Sequence, residues 1–197
     1  MSKGLFITAT GTDVGKTYVT ALIIKRLREA GYKAGYYKAA LSGAEKVKGQ
    51  LHIEDANHVK TVAGLNDDLT DMVSYIYESS VSPHLAANIE GNPVMMEKIV
   101  NDYKRHCSKY DYVTVEGSGG IIYPIRYDGK EQIFLEDIIK KLKLSVLIVA
   151  GAGLGTINAT VLTVKYLESQ SIPIRGIIIN RYHGGTMEDD NLKMIEA

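Results

Sequence analysis

Leu5-Phe6-Ile7-Thr8-Ala9-Thr10-Gly11-Thr12-Asp13-Val14-Gly15-Lys16-Thr17 sets an apolar run directly before a loop that closes on Gly-Lys-Thr. The residues that follow, Tyr18 to Ala30, carry apolar side chains at Val19, Leu22, Ile23 and Leu27, the spacing of one buried helical face. In the order strand, loop, helix, the loop's backbone N–H groups and the helix N-terminus converge on one point, where a triphosphate fits. Lys16 then reaches the outer phosphates and the Thr17 hydroxyl meets Mg²⁺. The pattern G-x-x-x-x-G-K-[ST] asks for glycine at position 10, where this chain has Thr10, with Gly11 one place later. A bare Gly-Lys-Thr also occurs in structural turns. The strand before it and the amphipathic helix after it select nucleotide binding.

Outward from that loop, apolar segments alternate with helical ones and no linker interrupts them. Strands are predicted at residues 5–10, 34–38, 73–77, 111–116, 144–150 and 174–180, with helices at 93–108, 134–142 and 155–169. Asn92-Pro93 is expected to cap the first of these helices, with proline at its first position. Leu144 to Ala150 and Ile174 to Ile179 are nearly unbroken apolar runs, as strands covered on both faces require. The expected fold is α/β: a parallel sheet flanked by helices in three α/β/α layers, P-loop NTPase-like, as one domain over residues 1–197.

Bulk composition narrows the ligand. Lys plus Arg and Asp plus Glu each number 23, which gives no electrostatic reason to expect nucleic acid and leaves small anions as ligands. The single cysteine, Cys107, excludes an internal disulfide. It lies on the stripe Met96, Ile99, Val100, Tyr103, Cys107 and reads as core rather than nucleophile. No run is long enough to span a bilayer and the first residues lack a signal-peptide core, so a cytoplasmic location away from membranes is expected. The five histidines are scattered, with no pair at i, i+4, which argues against zinc.

Ligands of parallel sheets bind beyond the carboxyl ends of the strands. The phosphate loop is the first such end. Tyr36 to Gly43 is the second, with Lys38 at the strand end and Ser42 four residues on; spacing alone favours a solvated lysine there. In Val113 to Gly120, Glu116 ends an apolar strand before a glycine run. It reads as a Mg²⁺ ligand in preference to a carboxylate capping local N–H groups. Val149 to Asn158 is a glycine-rich strand-to-helix turn, either a second anion cradle or a turn whose glycines only permit close packing. Asp55, taken alone, reads as a helix-start carboxylate.

Taken together, Thr-Gly-Thr-Asp-Val-Gly-Lys-Thr, Lys38 with Ser42-Gly43, Asp55, Ser82-Pro83-His84, Val115-Glu116-Gly117-Ser118-Gly119-Gly120 and Gly153-Leu154-Gly155-Thr156-Ile157-Asn158 resemble dethiobiotin synthetases over nearly the whole chain. The resemblance implies a ligase that uses ATP, Mg²⁺ and CO₂ or bicarbonate to close a ureido ring on 7,8-diaminononanoate in biotin biosynthesis. It implies Thr17, Asp55 and Glu116 as Mg²⁺ ligands, Asp13, Val14, Gly15, Lys16, Thr17 and Tyr18 around the phosphates, and Gly117, Ser118, Gly119 and Asn180 on the nucleotide, Asn180 at the base. Thr12, Lys16 and Lys38 would be catalytic, with Thr12, Lys38 and Ser42 facing the diamine and its carbamate. Gly151, Leu154, Gly155 and Asn158 would receive the diamine's distant carboxylate across the interface of a homodimer.

Three positions depart from the family pattern: Ala9 replaces a common glycine, Ala39 a usual proline, and after Asn180 one helix stands where a strand, a base-contacting loop and a helix are expected. Partition-type ATPase switches share the fold, but their loop carries an early signature lysine where this chain has Gly11 and Thr12. A relative that amidates a cobalamin precursor would need a glutamine-hydrolysing domain. A non-catalytic nucleotide-binding module is the remaining alternative, and it is separated by assay.

Overall fold

The computed structural model describes residues 3–47 and 50–197. In chain order the elements are β1 (Lys3–Ala9), α1 (Lys16–Glu29), β2 (Ala34–Leu41), β3 (Glu45–Val47), β4 (Gln50–His52), α2 (Glu54–Ala63), α3 (Leu69–Met72), β5 (Val73–Ile76) and α4 (Pro83–Ile89). They continue with α5 (Met96–Lys109), β6 (Tyr112–Glu116), β7 (Pro124–Tyr127), β8 (Gln132–Phe134), α6 (Leu135–Leu142), β9 (Ser145–Gly151), α7 (Thr156–Ser169), β10 (Ile174–Asn180) and α8 (Thr186–Glu196).

The six expected strands form one sheet in the order β10-β9-β1-β6-β2-β5, every neighbouring pair parallel. Side chains alternate between its faces. Phe6, Tyr37, Val115 and Ile148 point into a core closed by Ile99 and Tyr103 of α5 and Ile138 of α6. Tyr36 packs on the other face with Ile24 of α1 and Val59 of α2, and Ile7 with Val19 and Val149. Each such side chain, fully withdrawn from water, contributes about 1.5–3 kcal/mol. The result is the expected three-layer α/β/α sandwich.

Register places the chemistry. Ile7 of β1 and Lys38 of β2 both pair with Glu116 of β6, so the lysine and the acid end adjacent strands at the same height.

Some expectations are corrected. Helix α5 begins at Met96, not at Pro93, and its N-cap is Met95. Residues 92–95 are held outside the helix instead: the Tyr77 hydroxyl donates to the Asn92 carbonyl, the Met95 N–H donates to the Tyr75 hydroxyl, and Val94 is buried. Burying Val94 outweighs the local capping preference. Ile174 to Ile179 lie in the edge strand and are half-covered rather than enclosed on both faces. On α5 the buried face runs Ile99, Tyr103, His106, with Cys107 partly buried against the same core. Two antiparallel hairpins, β3–β4 and β7–β8, add to the expected elements.

Candidate active site

The phosphate loop leaves β1 with Asp13 and Gly15 both in the left-handed region, at φ 58° and 94°. Alternation of this kind turns successive N–H groups to one side and forms an anion nest. Gly15 is the N-cap of α1 and offers no side-chain cap, so the first N–H groups of a 14-residue helix have no capping side chain and point outward. Lys16 is buried and its ammonium donates to the Gly11 carbonyl at 3.4 Å. Burial, and after it the Lys38 charge, push its pKa below the ordinary lysine value despite the nearby carboxylates.

Beside the nest, four side chains from four elements meet. The Lys38 ammonium donates to Glu116 Oε1 at 3.1 Å and to Asp55 Oδ2. The Thr17 hydroxyl lies 2.8 Å from Glu116 Oε1 and 3.1 Å from Asp55 Oδ1, its one proton shared between them. Lys38 and Glu116 are sealed from water, whereas Asp55, in the first turn of α2, is about one-third open. Burial alone lowers a lysine pKa, but the charges of Glu116 and Asp55 and their hydrogen bonds outweigh it and hold Lys38 above the ordinary lysine range. Burial likewise raises Asp55, and the Lys38 ammonium with its hydrogen bond overrides that and holds the carboxyl below the ordinary range.

Asp55 and Lys38 are 17 residues apart and Lys38 and Glu116 are 78 apart; the sheet register and the α1–α2 packing bring them together. Spacing alone favoured solvent for Lys38 and a helix-start role for Asp55. The first is corrected, because two carboxylates compensate the buried charge; the second holds, since Asp55 is at a helix start and also faces the cluster.

Two carboxylates and a hydroxyl are hard oxygen donors of the number Mg²⁺ takes from protein when phosphates and water complete its shell. Glu116 Oε2 is buried and makes no well-formed hydrogen bond; its neighbour is the equally unpaired Tyr36 hydroxyl, which leaves the carboxylate with acceptor capacity for a cation. The donor set therefore fits Mg²⁺ with nucleotide. Among the described residues no group of three or more His, Cys, Asp or Glu forms a protein-only metal cage.

These groups line a cleft of about 1000 Å³ over the carboxyl ends of the strands. Of the expected site residues, Thr12, Asp13, Gly15, Lys16, Thr17, Tyr18, Lys38, Ser42, Asp55, Glu116, Ser118 and Gly119 line it. Gly117 does not line the cleft; a Cβ there would meet Leu135 Cδ2 at 2.9 Å and Phe6 Cε1 at 3.0 Å, so a larger residue would have to displace those side chains. Asn180 lies against the loop, its amide donating to the Val14 carbonyl at 2.8 Å. Gly151, Leu154, Gly155 and Asn158 do not line this cleft. Their turn is held by the Thr156 hydroxyl, donating to the Gly151 carbonyl at 2.5 Å, and by Asn191. Leu154 is 91% exposed.

The cleft also contains residues that the sequence did not single out: His58 and Asn57 of α2, Tyr123 and Arg181. Arg181 directly follows Asn180, and Tyr123 ends the segment after the glycine run; adjacency to motif residues was the only available signal.

A family model described as an AAA domain matches residues 3–197. Among solved structures, the MinC:MinD cell division complex of Aquifex aeolicus covers the whole chain and 78% of its own at 19% identity and TM-score 0.57. A ParA family ATPase from Chlorobium tepidum covers 100% and 82% at 14% identity and TM-score 0.56. At those identities the likeness is one of fold, the P-loop NTPase sandwich. Sequence comparison decides the rest. The ATP-dependent dethiobiotin synthetase BioD of Clostridium botulinum strain Loch Maree is 56% identical over 93% of this chain and 80% of its own length. That of Brachyspira hyodysenteriae is 54% identical over 100% of this chain and 87% of its own.

The chain belongs to the dethiobiotin synthetase family. Its activity is accordingly ATP-dependent dethiobiotin synthesis, a ligase reaction of biotin biosynthesis. The phosphate nest and the buried lysine–dicarboxylate cluster open onto one cleft. Among the described residues no helix is long and apolar enough to cross a membrane.

Proposed function

We propose that the cleft carboxylates and cyclises 7,8-diaminononanoate with CO₂ at the expense of ATP, giving dethiobiotin, ADP and phosphate. The observation that carries this reading is the convergence of Lys38, Thr17, Asp55 and Glu116 beside Lys16 and the phosphate nest.

One neutral amine attacks CO₂ and, on losing a proton, becomes a carbamate. An alkyl amine has a pKa of about 10, so most of it is protonated at neutral pH and a neighbouring cation is needed to favour the neutral form. Lys38 is compensated by two carboxylates, which leaves Lys16 as the more effective cation toward the attacked amine. A carbamate oxygen then attacks the γ-phosphorus and ADP leaves, giving a carbamic–phosphoric anhydride. Two anions meet in that step, and Lys16 with the loop N–H groups neutralises and aligns them. Thr17, Asp55 and Glu116 would hold Mg²⁺, which would supply further charge neutralisation on the phosphates. The second amine attacks the carbonyl carbon, the C–O bond to phosphorus breaks, and phosphate departs with closure of the ring. Both amines belong to one molecule, which makes that step effectively unimolecular.

Thr12, Lys38 and Ser42 bind the diamine end in this reading, and Ser118, Gly119 and Asn180 the nucleotide. The turn Gly151 to Asn158 does not line this cleft, which suits delivery of its carboxylate site by a second copy in a homodimer. The reading also takes residues 1–197 as one P-loop domain working in the cytoplasm.

ATP consumption measured with each reactant omitted tests the proposal. Phosphate release should require both diamine and bicarbonate. Equal release without the diamine would mean a simple nucleotide hydrolase or switch.

A further inference from the structure

We propose that Asn180 is a positioning residue for the phosphate loop, acting through its bond to Val14 and its fit against Gly15, in addition to any contact with a base. The inference rests on the reading that this loop holds the nucleotide's phosphates.

Asn180 is the last residue of β10, paired with Gly151 at the carboxyl end of the sheet. Its Nδ2 donates to the Val14 carbonyl at 2.8 Å, joining residues 166 apart in sequence. Among the hydrogen bonds of the described residues, this one alone ties residues 11–14 to anything beyond the helix that follows them; the other bond to this stretch comes from Lys16 of that helix. A Cβ on Gly15 would lie 2.1 Å from Asn180 Nδ2, and Gly15 has φ 94°. The glycine is therefore required twice, by its backbone conformation and by the amide that occupies the space of a side chain.

The consequence for phosphate binding follows from peptide geometry. A trans peptide points its C=O and N–H in opposite directions. Pinning the Val14 carbonyl to β10 aims the Gly15 N–H the other way, into the nest at the mouth of α1. Without the amide the Val14–Gly15 peptide is free to rotate, and a donor that must be oriented before phosphate arrives is oriented only on binding. This effect does not depend on which base the nucleotide carries.

Calorimetric titration of ATP and of inorganic tripolyphosphate, each with Mg²⁺, into wild type and Asn180→Ala separates positioning from base contact, with thermal melts as the check on folding. Tripolyphosphate should weaken roughly three- to tenfold, the worth of one hydrogen bond, and ATP by at least that factor, any excess reporting a contact with the base. Asn180→Asp keeps the size but sets a carboxylate against the Val14 carbonyl, and should weaken tripolyphosphate at least as much. Gly15→Ala should weaken both ligands more severely in the wild-type background than beside Asn180→Gly, where the 2.1 Å clash is relieved. Weakened ATP with unchanged tripolyphosphate would assign Asn180 to the base alone and overturn the proposal, as would unchanged affinity for both. If wild type itself bound neither ligand, the phosphate-loop reading beneath the proposal would be the one at fault.

Discussion

The chain makes the same turn twice and uses it differently. After β1 and again after β9, a glycine in the left-handed region, Gly15 at φ 94° and Gly155 at φ 88°, is the N-cap of a 14-residue helix and gives no side-chain cap. In the first turn the next residue is Lys16, and Lys38, Asp55 and Glu116 converge from other elements. In the second the next residue is Thr156, whose hydroxyl bonds back to Gly151, while Asn191 donates to the Ala152 and Gly153 carbonyls and Leu154 stands in solvent. A helix N-terminus supplies only a partial charge. The difference lies in what neighbouring elements deliver to it: β2 and β6 bring Lys38 and Glu116, and α2 brings Asp55, to the first turn.

That comparison is most exposed at Lys16. Lys16→Ala should reduce turnover by on the order of 10²–10³, the cost of removing one preorganised charge from a site of developing negative charge. The reciprocal change, Thr156→Lys, should confer no triphosphate binding on the second turn. Binding of a second nucleotide by that variant would show that the turn alone suffices.

Lys38 comes next. Lys38→Gln should retain ATP affinity and lose roughly a hundredfold in ring closure, because Lys38 lies on β2 beside Ser42 and not in the loop. Removing one partner of a buried pair costs about 3–5 kcal/mol, so the variant should also melt earlier, and Mg²⁺ with nucleotide should recover part of that loss by pairing the stranded carboxylates. Wild-type turnover in this variant would remove Lys38 from the chemistry.

For the acids, Glu116→Gln and Asp55→Asn should lower activity by about ten- to a hundredfold, with partial rescue at higher Mg²⁺. Asp55 adds a pH signature in metal-free buffer. Its carboxyl titrates below the ordinary value of 3.8 in the folded protein, so its stabilisation is in place above that value and is lost as pH falls through the folded one. The acid limb of stability should therefore be shallower in Asp55→Asn, while the neutral range is unaffected by titration of this group. A mutant whose acid limb matches wild type would mean that the Lys38 contact is not formed in solution.

The smallest effects belong to the second turn. Asn158→Ala should raise the KM for the diamine severalfold and leave that for ATP unchanged, consistent with one lost hydrogen bond. Thr156→Val should lower stability by about 1 kcal/mol through the lost bond to Gly151 and leave ATP affinity untouched. If Asn158→Ala changed the KM for ATP instead, the two turns would not divide the ligands as argued.

The strand–loop–helix around residues 5–30 and the six parallel strands along the chain were legible because each rests on local pattern: a run of apolar residues, a glycine, a 3.6 period; the order of those strands in the sheet was not. Glu116 was legible as an acid at a strand end. By spacing alone Lys38 and Asp55 were not separable from ordinary surface charges, since what distinguishes them is register and helix packing; only the family resemblance singled them out. The β3–β4 and β7–β8 hairpins have strands of three or four residues, too short for alternation to register. Asn92-Pro93 carried a sound local signal that tertiary burial of Val94 overrode. Asn180 was assigned to the nucleotide by resemblance, while its bond to Val14 spans 166 residues and leaves no trace in local sequence.

In the proposed reaction ATP and the diamine's carbamate meet directly at the Lys16 end of the cleft, and oxygen-18 transfer reads that step. With bicarbonate labelled in all oxygens and a short incubation, carbamate attack on the γ-phosphorus and later C–O cleavage should leave one labelled oxygen in each phosphate released. Phosphate carrying oxygen from water alone would contradict the account.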